Sequence, residues 1–152
     1  CYYIYVNNFN QYGSLKVNKN AQSWLKALRS NEYVQTTGFL HRTTTTPFSK
    51  IGWCCLGVAC DVYQKKVGDL TITQNVIPYE LDTQIEEFDG QNNVLPEKVQ
   101  AWLGLRTSSG WSGSQSLFTL NDLLAWDFYQ IAEFIEKQES NLFGSQVNEP
   151  TN

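Results

Sequence analysis

A chain of 152 residues, 41% hydrophobic and 14% aromatic, is one domain's worth of polypeptide. It is long enough to bury a core without disulfide or metal staples, and too apolar for disorder. The formal charge of −4 is uneven: residues 17–66 carry seven cations against two acids, and residues 67–152 carry three against thirteen. The acidic balance reads against a dedicated nucleic-acid binder, and no apolar run approaches the ~18 residues of a membrane span.

The chain opens Cys1-Tyr2-Tyr3-Ile4-Tyr5-Val6 and contains no methionine. Val17 stands just before a capped helix, and bacterial translation can start at a valine codon. We expect residues 1–16 to be upstream sequence or a disordered leader, with a single domain over 17–140 and a frayed tail over 141–152. The alternative is an amino-terminal strand in which Tyr3, Tyr5 and Phe9 pair at an edge. No basic segment followed by an apolar one opens the chain, so no secretory signal is expected.

The first helix is predicted over 20–30, capped by Asn20, with Ala21, Trp24, Leu25 and Leu28 on one face. Tyr33-Val34-Gln35 and Phe39-Leu40 read as strands joined at Gly38, and Thr43 to Pro47 as a polar loop. A second helix is predicted over 54–66, with Gly57, Asp61, Gln64 and Lys65 on its polar face. Strand material follows at Leu70–Thr73, Val76-Ile77 and Gln84–Glu86, and Asp89-Gly90 signals a turn. Pro96 opens a helix carrying Val99, Trp102 and Leu103, and Gly104 ends it. Arg106 to Ser116 reads as a Ser/Gly-rich loop around Trp111. The last helix has Phe128, Ile131, Ala132 and Ile135 on one face and an Asp127/Gln130 capping box, with an earlier start near Asp122 as the alternative.

These elements predict an α+β fold, about four helices packed on a small, mainly antiparallel β-sheet. The expected core is Trp24, Leu25, Leu28, Cys55, Leu56, Ala59, Cys60, Val99, Trp102, Leu103, Ile131 and Ile135.

The segments Trp24–Ser30, Cys54–Asp61, Leu95-Pro96, Trp102–Leu105, Leu120–Asp122 and Ile131–Glu136, in this order, resemble a family of small bacteriophage and bacterial hypothetical proteins without assigned function. The resemblance spans about residues 18–138. It implies a viral or mobile-element accessory protein acting in a bacterial cytoplasm, with a host or phage protein as partner. In that family a Gly-containing turn usually follows Leu-Asn-Asp; here Leu123-Leu124-Ala125-Trp126 stands in its place. The family pattern has no histidine at the position of His41.

The cluster Cys54, Cys55, Cys60 sets the chemical alternatives. Adjacent cysteines are poorly placed for a mutual disulfide, so free thiols and a reducing, cytoplasmic setting are expected. A thiol at a helix start with a histidine nearby fits a Cys-His-Asp hydrolase or transferase. Cys54 or Cys55 would be the nucleophile, His41 the base, and Asp61 or Asp122 its orienter. Core packing is the stronger reading, because free cysteine is among the most buried residue types. No C-x2-C pair supports a zinc site, Gly110–Gly113 lacks the lysine of a phosphate loop, and no cofactor is expected. Glu86-Glu87 and Asp82 read as solvated surface. A nucleic-acid reading rests on Lys19, Lys26, Arg29 and Arg42 around Trp24 and Tyr33. The preferred reading is a non-catalytic protein-binding role, with Trp111 as anchor and Arg106, Lys26, Arg29 and Arg42 as candidate contact residues.

Overall fold

The computed structural model describes residues 17–45, 48–145 and 147. In chain order the elements are α1 (Lys19–Leu28), β1 (His41–Thr44), β2 (Lys50–Trp53), α2 (Cys55–Lys66), β3 (Ile72–Ile77), β4 (Glu80–Phe88) and α3 (Glu97–Leu103). There follow β5 (Trp111–Ser112), β6 (Gln115–Ser116), α4 (Leu117–Asp122), α5 (Phe128–Lys137) and α6 (Glu139–Leu142). The fold is α+β. Four strands form an antiparallel sheet in the order β2-β1-β4-β3, and β5-β6 is a separate two-stranded hairpin.

Helix α2 is the centre of the molecule. Cys54 caps it, its Sγ accepting from the Gly57 N–H at 3.3 Å. Residues 55–60 are all buried, so this stretch touches protein on every side. Gly57 was expected on the polar face, and here the sequence reading fails. A Cβ at Gly57 would lie 1.7 Å from the Leu40 carbonyl oxygen, so the glycine marks where helix and incoming β1 touch backbone to backbone. Around α2 the expected core residues are buried, except that Trp102 is half-buried and meets Tyr63 edge to face at 5.3 Å.

Several boundaries move. Helix α1 is capped by Asn18, whose Oδ1 accepts from Ala21 N at 2.8 Å; Asn20 instead donates to the Trp102 carbonyl at 3.0 Å. Asn18 Nδ2 donates to the same carbonyl. Thr43 and Thr44 belong to β1, where pairing with both β2 and β4 outweighs their polarity; Thr46 and Pro47 lie outside the described residues. Of the 33–40 segment only Gln35 bridges, in parallel to Trp53. Strands β3 and β4 form one hairpin, turning at residues 78–79. The Asp89-Gly90 turn is present, with φ of 49° and 81° as a tight reversal between Phe88 and Gln91 requires.

Residues 106–116, expected as a loop, contain the β5-β6 hairpin reversing at Gly113 (φ 63°). Helix α5 carries the predicted capping box. It does not reach back to Asp122, because α4 is a separate helix capped by Ser116 and closed at Leu123. The turn between them runs through Ala125 at φ 53°, so the reversal is made without glycine. The expected fraying from residue 141 does not occur at its start. Leu142 and Phe143 are buried, Phe143 bridges Leu105, and Gly144 N donates to the Gly104 carbonyl at 3.0 Å. The expectations for residues 1–16 and 148–152 fall outside the described residues.

Candidate functional site

The cysteine helix comes first, because it carries the only thiol chemistry within the described residues. Cys54, Cys55 and Cys60 are free and buried. Burial pushes the Cys54 thiol up to about 12 and holds Cys55 and Cys60 well above the ordinary thiol range. The helix N-terminus lowers the Cys54 value through Gly57 N–H, but burial outweighs it. A nucleophile needs the opposite shift.

His41 and Asp61, expected to serve such a thiol, are engaged elsewhere. His41 is buried in β1, not set in a mobile polar stretch, and stacks on Trp53 at 4.0 Å between ring centroids. Its Nδ1 lies 3.3 Å from Glu86 Oε2, and burial lowers its pKa more than Glu86 and Asp61 raise it. Asp61 accepts from Tyr33 OH at 2.6 Å and pairs with Lys65 at 2.7 Å. Asp122 accepts from Gly38 N at 2.8 Å, and burial raises its pKa. No group of three or more His, Cys, Asp or Glu able to hold a metal ion occurs among the described residues.

Beside the thiols lies a buried polar hub. Asn121 Oδ1 accepts from Gln35 Nε2 at 2.9 Å and from Cys55 N at 3.1 Å. Its Nδ2 donates to the Thr36 carbonyl at 2.9 Å and to Asp122 Oδ1 at 2.7 Å. One amide thus ties the 35–38 loop, the first turn of α2 and the end of α4 together. Trp24 Nε1 donates to the Cys55 carbonyl at 2.9 Å, fixing α1 to the same turn.

The profile of one protein family, described as a domain of unknown function (DUF8296), matches residues 17–139. The chain belongs to this family. No curated protein and no solved structure gives a significant match. The described helices of this DUF8296 chain include none long and apolar enough to cross a membrane.

The thiols of this DUF8296 domain predict a simple result. Alkylation near neutral pH should leave Cys54, Cys55 and Cys60 unmodified in the folded protein and label all three after unfolding. Rapid native labelling of one of them would reverse the assignment of the cluster to the core. Because the folded-state thiol values are raised, their contribution to stability is complete below the ordinary thiol value. For Cys54 it is lost as pH climbs from about 9 toward 12.

Three of the four basic candidates are engaged within the fold. Arg29 pairs with Glu136 and Arg42 with Glu80. Arg106 donates through Nε to the Phe143 carbonyl at 3.0 Å, anchoring the end of the domain, while Lys26 is exposed on α1. Trp111, expected in a flexible loop either to fold back onto the core or to anchor a partner, sits half-buried in β5.

Exposed large apolar residues occur at several places, among them Tyr79, Phe48 and Val34, and two are adjacent at the α4–α5 corner. Leu123 is 74% and Leu124 50% exposed. Beside them in the chain, Trp126, Gln130, Glu133, Phe134 and Lys137 line a groove of about 220 Å³, with Trp126 and Phe134 meeting edge to face at 5.9 Å. The corner is held firmly: Leu123 N and Leu124 N both donate to the Thr119 carbonyl, and Gln35 Nε2 reaches the Trp126 carbonyl at 2.7 Å. Sequence reasoning passed over the two leucines because a helix reaching back to Asp122 would have absorbed them. The signal present was an apolar pair standing where the family resemblance calls for a turn.

Proposed function

We propose that the protein is a non-catalytic phage or bacterial accessory protein of the bacterial cytoplasm that acts by binding another protein through its α4–α5 corner. The observation that carries this reading is the Leu123-Leu124 pair, held out to solvent by a turn whose Ala125 sits at φ 53°. Left-handed backbone at a non-glycine residue costs ~1–2 kcal/mol, and such strain concentrates at functional sites. Exposed aliphatic residues beside an aromatic groove have the composition of an interface core.

The rim defines the partner's chemistry. Residues 117–142 contain Asp122, Asp127, Glu133 and Glu139 against Lys137 alone, with Glu136 already paired to Arg29. A segment with apolar side chains for the groove and basic residues for its edge is complementary. The cysteine-enzyme alternative has lost its thiolate, and the nucleic-acid alternative has two of its cations already paired.

The test is comparative capture from a bacterial lysate with wild-type protein and the Leu123→Ser/Leu124→Ser variant. Both residues are exposed, so the variant's melting temperature should stay within a few degrees of wild type. The expected result is a stoichiometric partner retained by wild type and lost by at least tenfold in the variant. Identical retention by both would remove the corner from consideration.

A further inference from the structure

Among the described residues, the outer edge of β3 is open in a way the other sheet edge is not. On the β2 side, Trp53 N donates to the Val34 carbonyl at 2.8 Å and Trp53 O accepts from Thr36 N at 2.9 Å, so the 34–36 segment covers that edge. On the β3 side, no strand among the described residues pairs beyond β3. Ile72, Thr73, Gln74 and Val76 are all exposed.

The ladder fixes which backbone groups face outward. Phe88 uses its N–H and its carbonyl on Gln91. Its cross-strand partner Ile72 is therefore a non-hydrogen-bonded position and turns its own N–H and C=O away from β4. Gln74 and Val76, two and four residues on, do the same. Exposed edges are normally guarded by a charge, a proline or a bulge. Residues 72–76, Ile-Thr-Gln-Asn-Val, contain no charge and no proline, and the one irregularity in register falls after them, between Val76 and Ile77.

We infer that the β3 edge is the site at which two copies of this chain pair, antiparallel, about a two-fold axis through Gln74. The sequence of the edge is self-complementary for that operation. Gln74 meets Gln74 of the other copy, Ile72 meets Val76, and Thr73 meets Asn75, so apolar faces apolar and amide or hydroxyl faces amide. Every outward N–H and C=O of Ile72, Gln74 and Val76 then finds a partner, in the reciprocal contact that an isologous dimer requires. On the sheet face, the cross-strand row Ile51, Thr43, Gln84, Val76 continues directly onto Ile72 of the second copy. Ile72 (43% exposed) and Val76 (54% exposed) are thereby covered. The occupant is a second copy and not an unrelated strand, because the pattern is matched to itself at every position.

The test joins sedimentation with directed cross-linking of the full chain. Wild type should sediment as a dimer. Gln74→Lys, which sets two ammonium groups opposite each other at the axis, should sediment as a monomer with an unchanged far-UV circular dichroism spectrum. Gln74→Cys should form a covalent dimer under mild oxidation, at least tenfold faster than Thr73→Cys, whose facing residue is Asn75. A monomeric wild type overturns the inference, as does equal cross-linking at both positions. Neither Gln74 variant touches the α4–α5 corner, so loss of the dimer leaves the partner-binding reading standing, and loss of partner binding leaves the dimer.

Discussion

Gly57→Ala should lower stability by ~3–5 kcal/mol, the upper range for a single buried substitution. The added methyl would sit 1.7 Å from the Leu40 oxygen and 2.6 Å from its carbonyl carbon. These are backbone atoms, so no rotamer change relieves the overlap. The Leu40 carbonyl is also the acceptor for Cys54 N at 3.2 Å, and Leu40 N donates to the Asn92 carbonyl. Moving that peptide away from α2 breaks the junction between helix cap and sheet. Against a total stability of ~5–15 kcal/mol, such a loss is about a third or more of the margin at the middle of that range and most or all of it at the lower end. Equilibrium urea unfolding of the two proteins measures the difference. A loss under ~1 kcal/mol would mean that the backbone contact is not rigid in solution.

The second large effect is expected at Asn121. Asn121→Ala removes four hydrogen bonds at once and strands the Cys55 N–H, which is fully buried. A buried donor left without a partner costs ~1–3 kcal/mol, and the lost bonds raise the expected destabilisation to ~3–4 kcal/mol. Asn121→Asp is the sharper probe because it keeps the size and the acceptor while losing the donor. It would place a carboxylate where Nδ2 now lies 2.7 Å from Asp122 Oδ1. Like charges at that distance raise the pKa of the pair. The Asp variant should therefore gain stability on acidification and lose it as pH rises through the raised value. A pH-independent Asp variant, or an Ala variant within ~1 kcal/mol of wild type, would show that Asn121 is not the hub its contacts describe.

Much of the architecture was legible because it is local. The 3.6-residue spacing of Phe128, Ile131, Ala132 and Ile135 and the Asp127/Gln130 box specify α5 without reference to anything distant. Gly104 in the left-handed conformation (φ 76°) closes α3 for a reason visible in the sequence. What was not legible depends on partners far along the chain. Gly57 looks like a surface glycine until Leu40, seventeen residues earlier, is placed against it. Phe143 looks like part of a tail until it bridges Leu105. The corner at Leu123-Leu124 was hidden by a conformational choice, since an alanine at positive φ has no sequence signature and a continuous helix was the cheaper reading.

The candidate site divides in the same way. Burial of Cys54, Cys55 and Cys60 follows from their apolar neighbours, and the core reading needed only composition. Pairing of Arg29 with Glu136, 107 positions apart, could not be read from charge counts. Nor could the β5-β6 hairpin around Trp111, whose strands are two residues each.

The clasp at the end of α3 has a topological consequence. Asn18 and Asn20 hold the Trp102 carbonyl at one end of the described chain, and Gly144 holds the Gly104 carbonyl at the other. Residues 18 and 144, near the two ends of the described residues, therefore meet at a single corner. With residues 17–145 joined there by a short linker and reopened at the exposed Gly113-Ser114 turn, a circular permutant would keep every described helix and every strand pairing of the four-stranded sheet. The same closeness would let residues 17–145 be carried as an insert in a loop of another protein without stretching its host.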